Sequence, residues 1–332
     1  MKQISRLLPI VGLSAALTLG AVTAHANDEK PKIVASLSPI ELLVRAVAGD
    51  QVTVSTLVPA GASPHTYQLR PSERRQLAAA DRIFWVGPGM ESFLERLLTG
   101  PDFRDQSVAL AQGADSPGDD ARGHHDQVRQ GDHTEAEHGQ EHDSADADDH
   151  GHGHDHGDGE DPHIWLDPTL ALDMAGKVAH SIEDLEGIDA EQVDRNLANF
   201  KVALKEREAA IRVQLQPAKD LDLFTYHDAF RRFAEHYGLT IAGVLTLSPE
   251  RSPGARHLAE VQQRLQQADQ PCLLTEPQFN RQWWESLMTD VEIPISTWDP
   301  LAGDIEPTAT GYLEFQQSLA DAVLRCLPEN AE

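Results

Sequence analysis

Residues 222–245 read DLFTYHDAFRRFAEHYGLTIAGVL, and this stretch decides the fold class. Asp222 to Tyr226 predicts a strand, Ala229 to Tyr237 a helix and Leu239 to Leu245 a second strand. The pattern continues downstream, with helices at Ala255 to Ala268, Arg281 to Thr289 and Thr310 to Leu327, and strands at Cys272 to Thr275 and Pro294 to Trp298. Strands that alternate with helices pack as a parallel sheet, because each crossover helix returns the chain to the same edge.

The first half repeats the scheme. Strands are expected at Lys32 to Ser36, Val52 to Val58, Arg82 to Val86 and, weakly patterned, Ser107 to Leu110. Helices are expected at Pro39 to Ala48, Met90 to Leu98 and Pro71 to Ala80, the last with a proline in its first turn. Between the halves, Ala190 to Gln216 contains no Gly or Pro and places Val193, Leu197, Phe200, Leu204, Ile211 and Leu215 on one face. That spacing predicts a helix of about 40 Å, stopped by Pro217 and spanning both halves as a strut. Two shorter helices broken near Arg207 are the alternative. The fold class expected is α/β: two (β/α)4 lobes with parallel sheets, joined by one long rigid helix, with a site in the cleft between them. The division runs 1–26 leader, 27–188 first lobe, 189–217 linking helix and 218–332 second lobe.

The leader is read from Lys2 and Arg6, an apolar stretch from Leu7 to Leu19, and Ala24-His25-Ala26, which predict a secretory signal peptide cleaved after Ala26. The apolar run is too short to span a bilayer about 30 Å thick, and no second such run follows. No Cys stands at the cleavage site, so the mature form is expected free rather than lipid-anchored. Export makes a disulfide the natural state of the two cysteines, Cys272 and Cys326, stabilising by about 4 kcal/mol on the chain-entropy model. Two unpaired thiols are the alternative.

Removing leader and insert leaves roughly 255 residues, enough for two ordinary domains. The insert, residues 113–160, is poor in apolar residues and rich in Asp, Glu, His and Gly, so it cannot bury enough surface to offset chain entropy and is expected to be disordered. From Gly113 to Asp161 sixteen acidic residues face only Arg122 and Arg129, which supplies about half of the formal charge of -27. Such a charge argues against nucleic acid or an anionic membrane as a direct partner and favours cations.

Nine of the sixteen histidines lie in the insert: His124, His125, His133, His138, His142, His150, His152, His154 and His156. Their spacing puts several imidazoles within reach of one ion, and ordering a floppy loop costs free energy, so weak auxiliary binding of several ions is expected. An acidic, solvating linker is the plainer reading. Outside the insert, His65 follows the strand Val52 to Val58, His227 follows Asp222 to Tyr226, and Asp299 follows Pro294 to Trp298. Binding residues in open α/β sheets gather at these carboxyl ends. His163 lies at the exit from the insert, in DPHIWLDP of residues 161–168. Three imidazoles and a carboxylate drawn from both lobes suit zinc, which takes imidazole nitrogen in tetrahedral array, better than manganese, which prefers carboxylate oxygen. Glu276 is placed to orient an imidazole or to cap a helix. His180, His236 and His257 read as surface or packing residues.

These stretches, with YHDAF at 226–230, EPQF at 276–279, Asp299-Pro300-Leu301, the long helix and the histidine-rich insert, resemble the zinc-specific solute-binding proteins of bacterial ABC transporters, the ZnuA type within the cluster A-I family. The resemblance implies capture of Zn2+ in the periplasm by a monomer and delivery to a membrane permease, with no catalysis. It implies His65, His163 and His227 as ligands. The fourth position varies among the aspartate matching Asp299, a water and a glutamate before the first histidine; Pro64 stands at that last place, which leaves Asp299 or water. Manganese-binding relatives carry a glutamate where this chain has His227. The family's two cysteines match Cys272 and Cys326 and are bridged. Two competing functions are a zinc buffer or adhesin that meets no transporter, and a zinc hydrolase, for which no HExxH motif is present.

Overall fold

The computed structural model describes residues 29–111, 161–246, 253–279 and 293–328. The leader, the nine insert histidines and the helix expected at Arg281 to Thr289 lie outside the described residues.

The first sheet holds β1 (Lys32–Ala35), β2 (Thr53–Thr56), β3 (Arg82–Trp85) and β4 (Ser107–Ala109), all parallel, in the order β2-β1-β3-β4. Helices α1 (Ser38–Ala48), α2 (Pro71–Ala78) and α3 (Ser92–Leu98) make the crossovers. Buried parallel strands read as apolar runs, and Ile33, Val34 and Ala35 of β1 are all inside.

Two helices follow the insert. Helix α4 (Pro168–Ile182) begins behind Asp167, whose carboxylate accepts from the Thr169 and Leu170 amides, with Pro168 at the first helical position. Helix α5 (Ala190–Gln214) is capped by Asp189, runs unbroken past Arg207 and stops at Leu215 before Pro217. Its 25 residues measure about 38 Å. A continuous helix is what a stretch without Gly or Pro permits, so the alternative break does not occur.

The second sheet repeats the first, with β5 (Asp222–Thr225), β6 (Thr240–Val244), β7 (Pro271–Thr275) and β8 (Ile295–Thr297), parallel, in the order β6-β5-β7-β8. Helix α6 (Arg231–Tyr237) joins β5 to β6, α7 (Ala255–Gln267) joins β6 to β7, and α8 (Gly311–Leu324) closes the chain. In each sheet the first and third strands are neighbours whose connections depart to opposite sides. That is the point where a crevice opens at the carboxyl ends.

Helix α5 packs on α1, α4 and α8, and α8 also packs on α1. One apolar cluster accordingly runs from Ile33 through Leu43, Val178, Phe200, Leu204, Tyr312 and Phe315 to Leu223 and Leu274 of the second sheet. Cys272 of β7 is bridged to Cys326, just past α8, with Cα atoms 5.8 Å apart and both residues buried. Among the described residues no helix is long and apolar enough to cross a membrane.

Candidate metal centre

The switch point of the second sheet ends in two side chains. His227 lies two residues beyond β5 and Glu276 one residue beyond β7, and because those strands are paired neighbours, their loops meet. Nδ1 of His227 lies 2.7 Å from Oε1 of Glu276, and both residues are buried. An ionised carboxylate only accepts, so in the neutral ring the proton sits on Nδ1 and Nε2 is left as the acceptor. That Nε2 is buried and has no hydrogen-bond partner among the described residues.

His163 is built the same way from a different element. Asp161 accepts from the His163 backbone amide at 3.0 Å and from Nδ1 at 2.7 Å, turning Nε2 of His163 forward. Arg232 of α6 donates through Nε to the Asp161 carbonyl at 2.9 Å and also through Nη2, which fastens this segment to the second lobe. The short 3-10 turn Ile164–Leu166 behind it is pinned in turn: the Trp165 indole donates to the Pro300 carbonyl at 2.7 Å, and the Tyr312 hydroxyl donates to the Trp165 carbonyl at 2.7 Å.

His65 comes from the turn-rich loop after β2 and completes the group. Ring centroids lie 5.5 Å apart for His65 and His163, 5.7 Å for His65 and His227, and 5.3 Å for His163 and His227. One ring nitrogen from each falls within 4.8 Å of the others. Two nitrogens on one tetrahedral zinc stand about 3.3 Å apart, so the rings need draw in by at most about 1.5 Å. The cavity they share measures about 10 Å³ and is walled by Pro64, Trp165, Phe279 and Pro300.

The electrostatics separate the three rings. Burial, and then the neighbouring His163 and His227, push His65 down to about 3. Burial also holds His163 below the ordinary imidazole value, against the opposing hydrogen bond from Asp161. At His227 burial works against the cation, but the Glu276 carboxylate outweighs it and holds the ring above its ordinary value. His65 and His163 are therefore neutral, metal-ready bases at neutral pH, and His227 is the ring that protons contest. Three nitrogen donors with no carboxylate among them suit zinc.

Asp299 departs from expectation, since the structure does not bring it into the group of imidazoles. Its Oδ1 accepts from Nε2 of Gln278 at 2.6 Å and from the Leu301 amide at 2.9 Å, and its Oδ2 accepts from the Gly303 amide at 2.8 Å. An aspartate at a strand end commonly accepts from the amides of the turn that follows it, as here from Leu301 and Gly303. Glu276 accepts from the His227 imidazole, one of the two roles expected for it, and the helix it would otherwise cap lies outside the described residues. Asp161 and Gln278 are the residues that the sequence reading leaves without a role; the two-residue step from Asp161 to His163 is the local signal for the first. His180 is exposed, His236 lies between Asp167 and Glu208, and the His257 ring lies 2.9 Å from the Val244 carbonyl oxygen.

Residues 33–326 match the family described as zinc-uptake complex component A, periplasmic. The chain belongs to that family. Among relatives within the zinc-uptake component A family, the high-affinity zinc uptake system protein ZnuA of Yersinia pestis is 32% identical over 305 residues, which cover 91% of this chain and 92% of that one. The protein of the same name from Haemophilus influenzae is 30% identical over 97% of this chain and 99% of its own. A crystal structure of ZnuA superposes with a TM-score of 0.66 at 23% identity, covering 89% of this chain and all of the other. The periplasmic zinc-binding protein TroA from Treponema pallidum gives 0.66 at 18% identity over 89% of this chain and 99% of its own, a likeness of fold.

Proposed function

We propose that this protein captures Zn2+ in the periplasm at His65, His163 and His227 and delivers it to the membrane permease of an ABC transporter. The observation that carries the reading is the convergence of three imidazoles from separate loops, two of them backed by a carboxylate on Nδ1, around a cavity of about 10 Å³. Family membership supports the transport role. The mature chain is read as a monomer starting after Ala26, with lobes at 27–188 and 218–332 about the linking helix 189–217, and the insert histidines as weak collectors of metal. A binding protein fits better than a hydrolase because Asp161 and Glu276, the carboxylates behind the cluster, are committed to imidazole N–H groups and are not free to act as general base.

The deciding experiment deletes residues 113–160 from the mature chain and titrates zinc against a chelator, beside the intact protein. One tight site is expected to persist in the deleted form; its loss would transfer the site to the insert.

Zinc affinity should also depend on pH in a stated order. The metal takes the deprotonated ring, so affinity is fully present above the raised value of His227 and is lost as pH falls through it, by about tenfold per unit while one proton is displaced. A second proton enters lower, at His163, and a third only near pH 3, at His65. Affinity measured from pH 8 to 5 should thus first fall with a slope of one; a flat profile would overturn the histidine site.

A further inference from the structure

We propose that Gln278 supplies the fourth donor to the captured zinc through its amide oxygen, held in place by Asp299. The inference rests on the three-imidazole reading above and assigns the side of the ion that the histidines leave open.

Gln278 stands two residues past Glu276, in the loop that leaves β7, and lines the same cavity as His65, His163 and His227. Its Nε2 donates to Oδ1 of Asp299 at 2.6 Å. Only the NH2 end of an amide can donate to an ionised carboxylate, so this contact fixes which end of Gln278 is which, and Oε1 is the end left over. That oxygen is buried, and no group among the described residues donates to it. The cavity therefore holds three buried polar atoms without a partner among the described residues, Oγ of Ser63, Nε2 of His227 and Oε1 of Gln278, and the last two are acceptors when the His227 ring is neutral. Buried acceptors are nearly always satisfied, and a cation satisfies both at once.

Asp299 is itself immobilised. The Leu301 and Gly303 amides take its two oxygens, and a Cβ on Gly303 would come within 2.9 Å of Oδ2, so glycine lets that amide approach. With Asp299 tied to its own turn, its effect on the ion passes through Gln278. The size of the cavity argues for direct contact. About 10 Å³ is the room of one water-sized sphere, so an ion and a bridging water do not fit together without the walls parting. Three imidazoles and an amide oxygen also form an uncharged donor set, which favours zinc over harder cations that call for carboxylates.

The test uses Gln278→Met in the full mature chain, a change that keeps the length of the side chain and removes both the oxygen and the NH2 that Asp299 accepts. Zinc is titrated against a chelator, and Co2+ is bound as a spectroscopic probe whose visible absorption reports its donors. Zinc affinity should fall about 10- to 100-fold and the Co2+ spectrum should shift, while the metal-free protein still folds and melts only modestly earlier, because Asp299 loses the Gln278 donor but keeps the Leu301 and Gly303 amides. Asp299→Ser should weaken zinc binding on its own and add nothing in the Gln278→Met background. Wild-type affinity with an unshifted Co2+ spectrum in Gln278→Met would overturn the assignment, as would an Asp299→Ser effect of equal size in both backgrounds. Should Asp299→Ser not fold, the Gln278→Met measurements decide alone. His227→Gln, run alongside, separates the two levels of inference. If it retains wild-type affinity, the three-imidazole reading fails; if it loses zinc while Gln278→Met does not, only the role of Gln278 fails.

Discussion

Replacing His227 by alanine should weaken zinc binding by about a thousandfold or more, which is about 4 kcal/mol. The variant removes one of three nitrogens that share a single cavity, and no carboxylate of the described residues joins them in that group. It has a second effect. Glu276 is 2% exposed and loses the Nδ1–H that it accepts at 2.7 Å, and a buried carboxylate left without its donor costs roughly 2 to 3 kcal/mol of stability. The metal-free variant should accordingly melt earlier than the parent. His227→Gln separates these effects, because an amide can still donate to Glu276 but is a poor substitute for imidazole on zinc. Chelator competition should show nearly the same loss of affinity for both variants, and thermal unfolding in excess chelator should show a deficit for alanine alone. Equal zinc affinity in parent and variants would remove His227 from the site.

Cutting the Cys272–Cys326 bridge should destabilise the protein by about 4 kcal/mol with little effect on the ion. The bridge closes a loop across a sequence separation of 54, and the chain-entropy relation gives that figure for a loop of this length. For a chain of this size the melting point should drop by roughly 10 °C. Cys272 lies in the middle of the second lobe, in the strand that leads to Glu276, yet the imidazole contact is set by the pairing of β5 with β7, which the bridge does not make. Zinc affinity at 25 °C should therefore stay within a few-fold of the parent for the double alanine variant. Calorimetry of that variant, with the reduced parent as a second sample, checks the claim; an unchanged melting point in both would refute it.

Much of this fold is legible in the sequence because the physics is local. Lys32 to Ala35 and Asp222 to Thr225 are short apolar runs before helices, and α5 is announced by 25 residues without Gly or Pro. Strand ends are equally readable, so the places of His65 and His227 in the fold follow from the same reading. Contacts that depend on strand order are another matter. That β5 and β7 lie side by side, and so put His227 against Glu276, is not written in either segment. Nor does the sequence around Asp299 say that the Leu301 and Gly303 amides reach its oxygens. The return of α8 across the linking helix to α1 has no local signal, since helix faces of similar pattern can pair in several ways.

The apolar cluster that joins the two sheets bears on how fast a cargo can leave. Opening such a block like a shell would wet Leu43, Phe200, Tyr312 and their neighbours, and at about 25 cal/mol per Å² even a few hundred Å² of that surface costs several kcal/mol. An ion held between His65, His163 and His227 would then leave by exchanging its nitrogens and not by a wide parting of the lobes. An acceptor that offered ligands of its own would speed that exchange, so on the proposed function the pace of unloading would be set by the encounter with it and not by the carrier's own breathing.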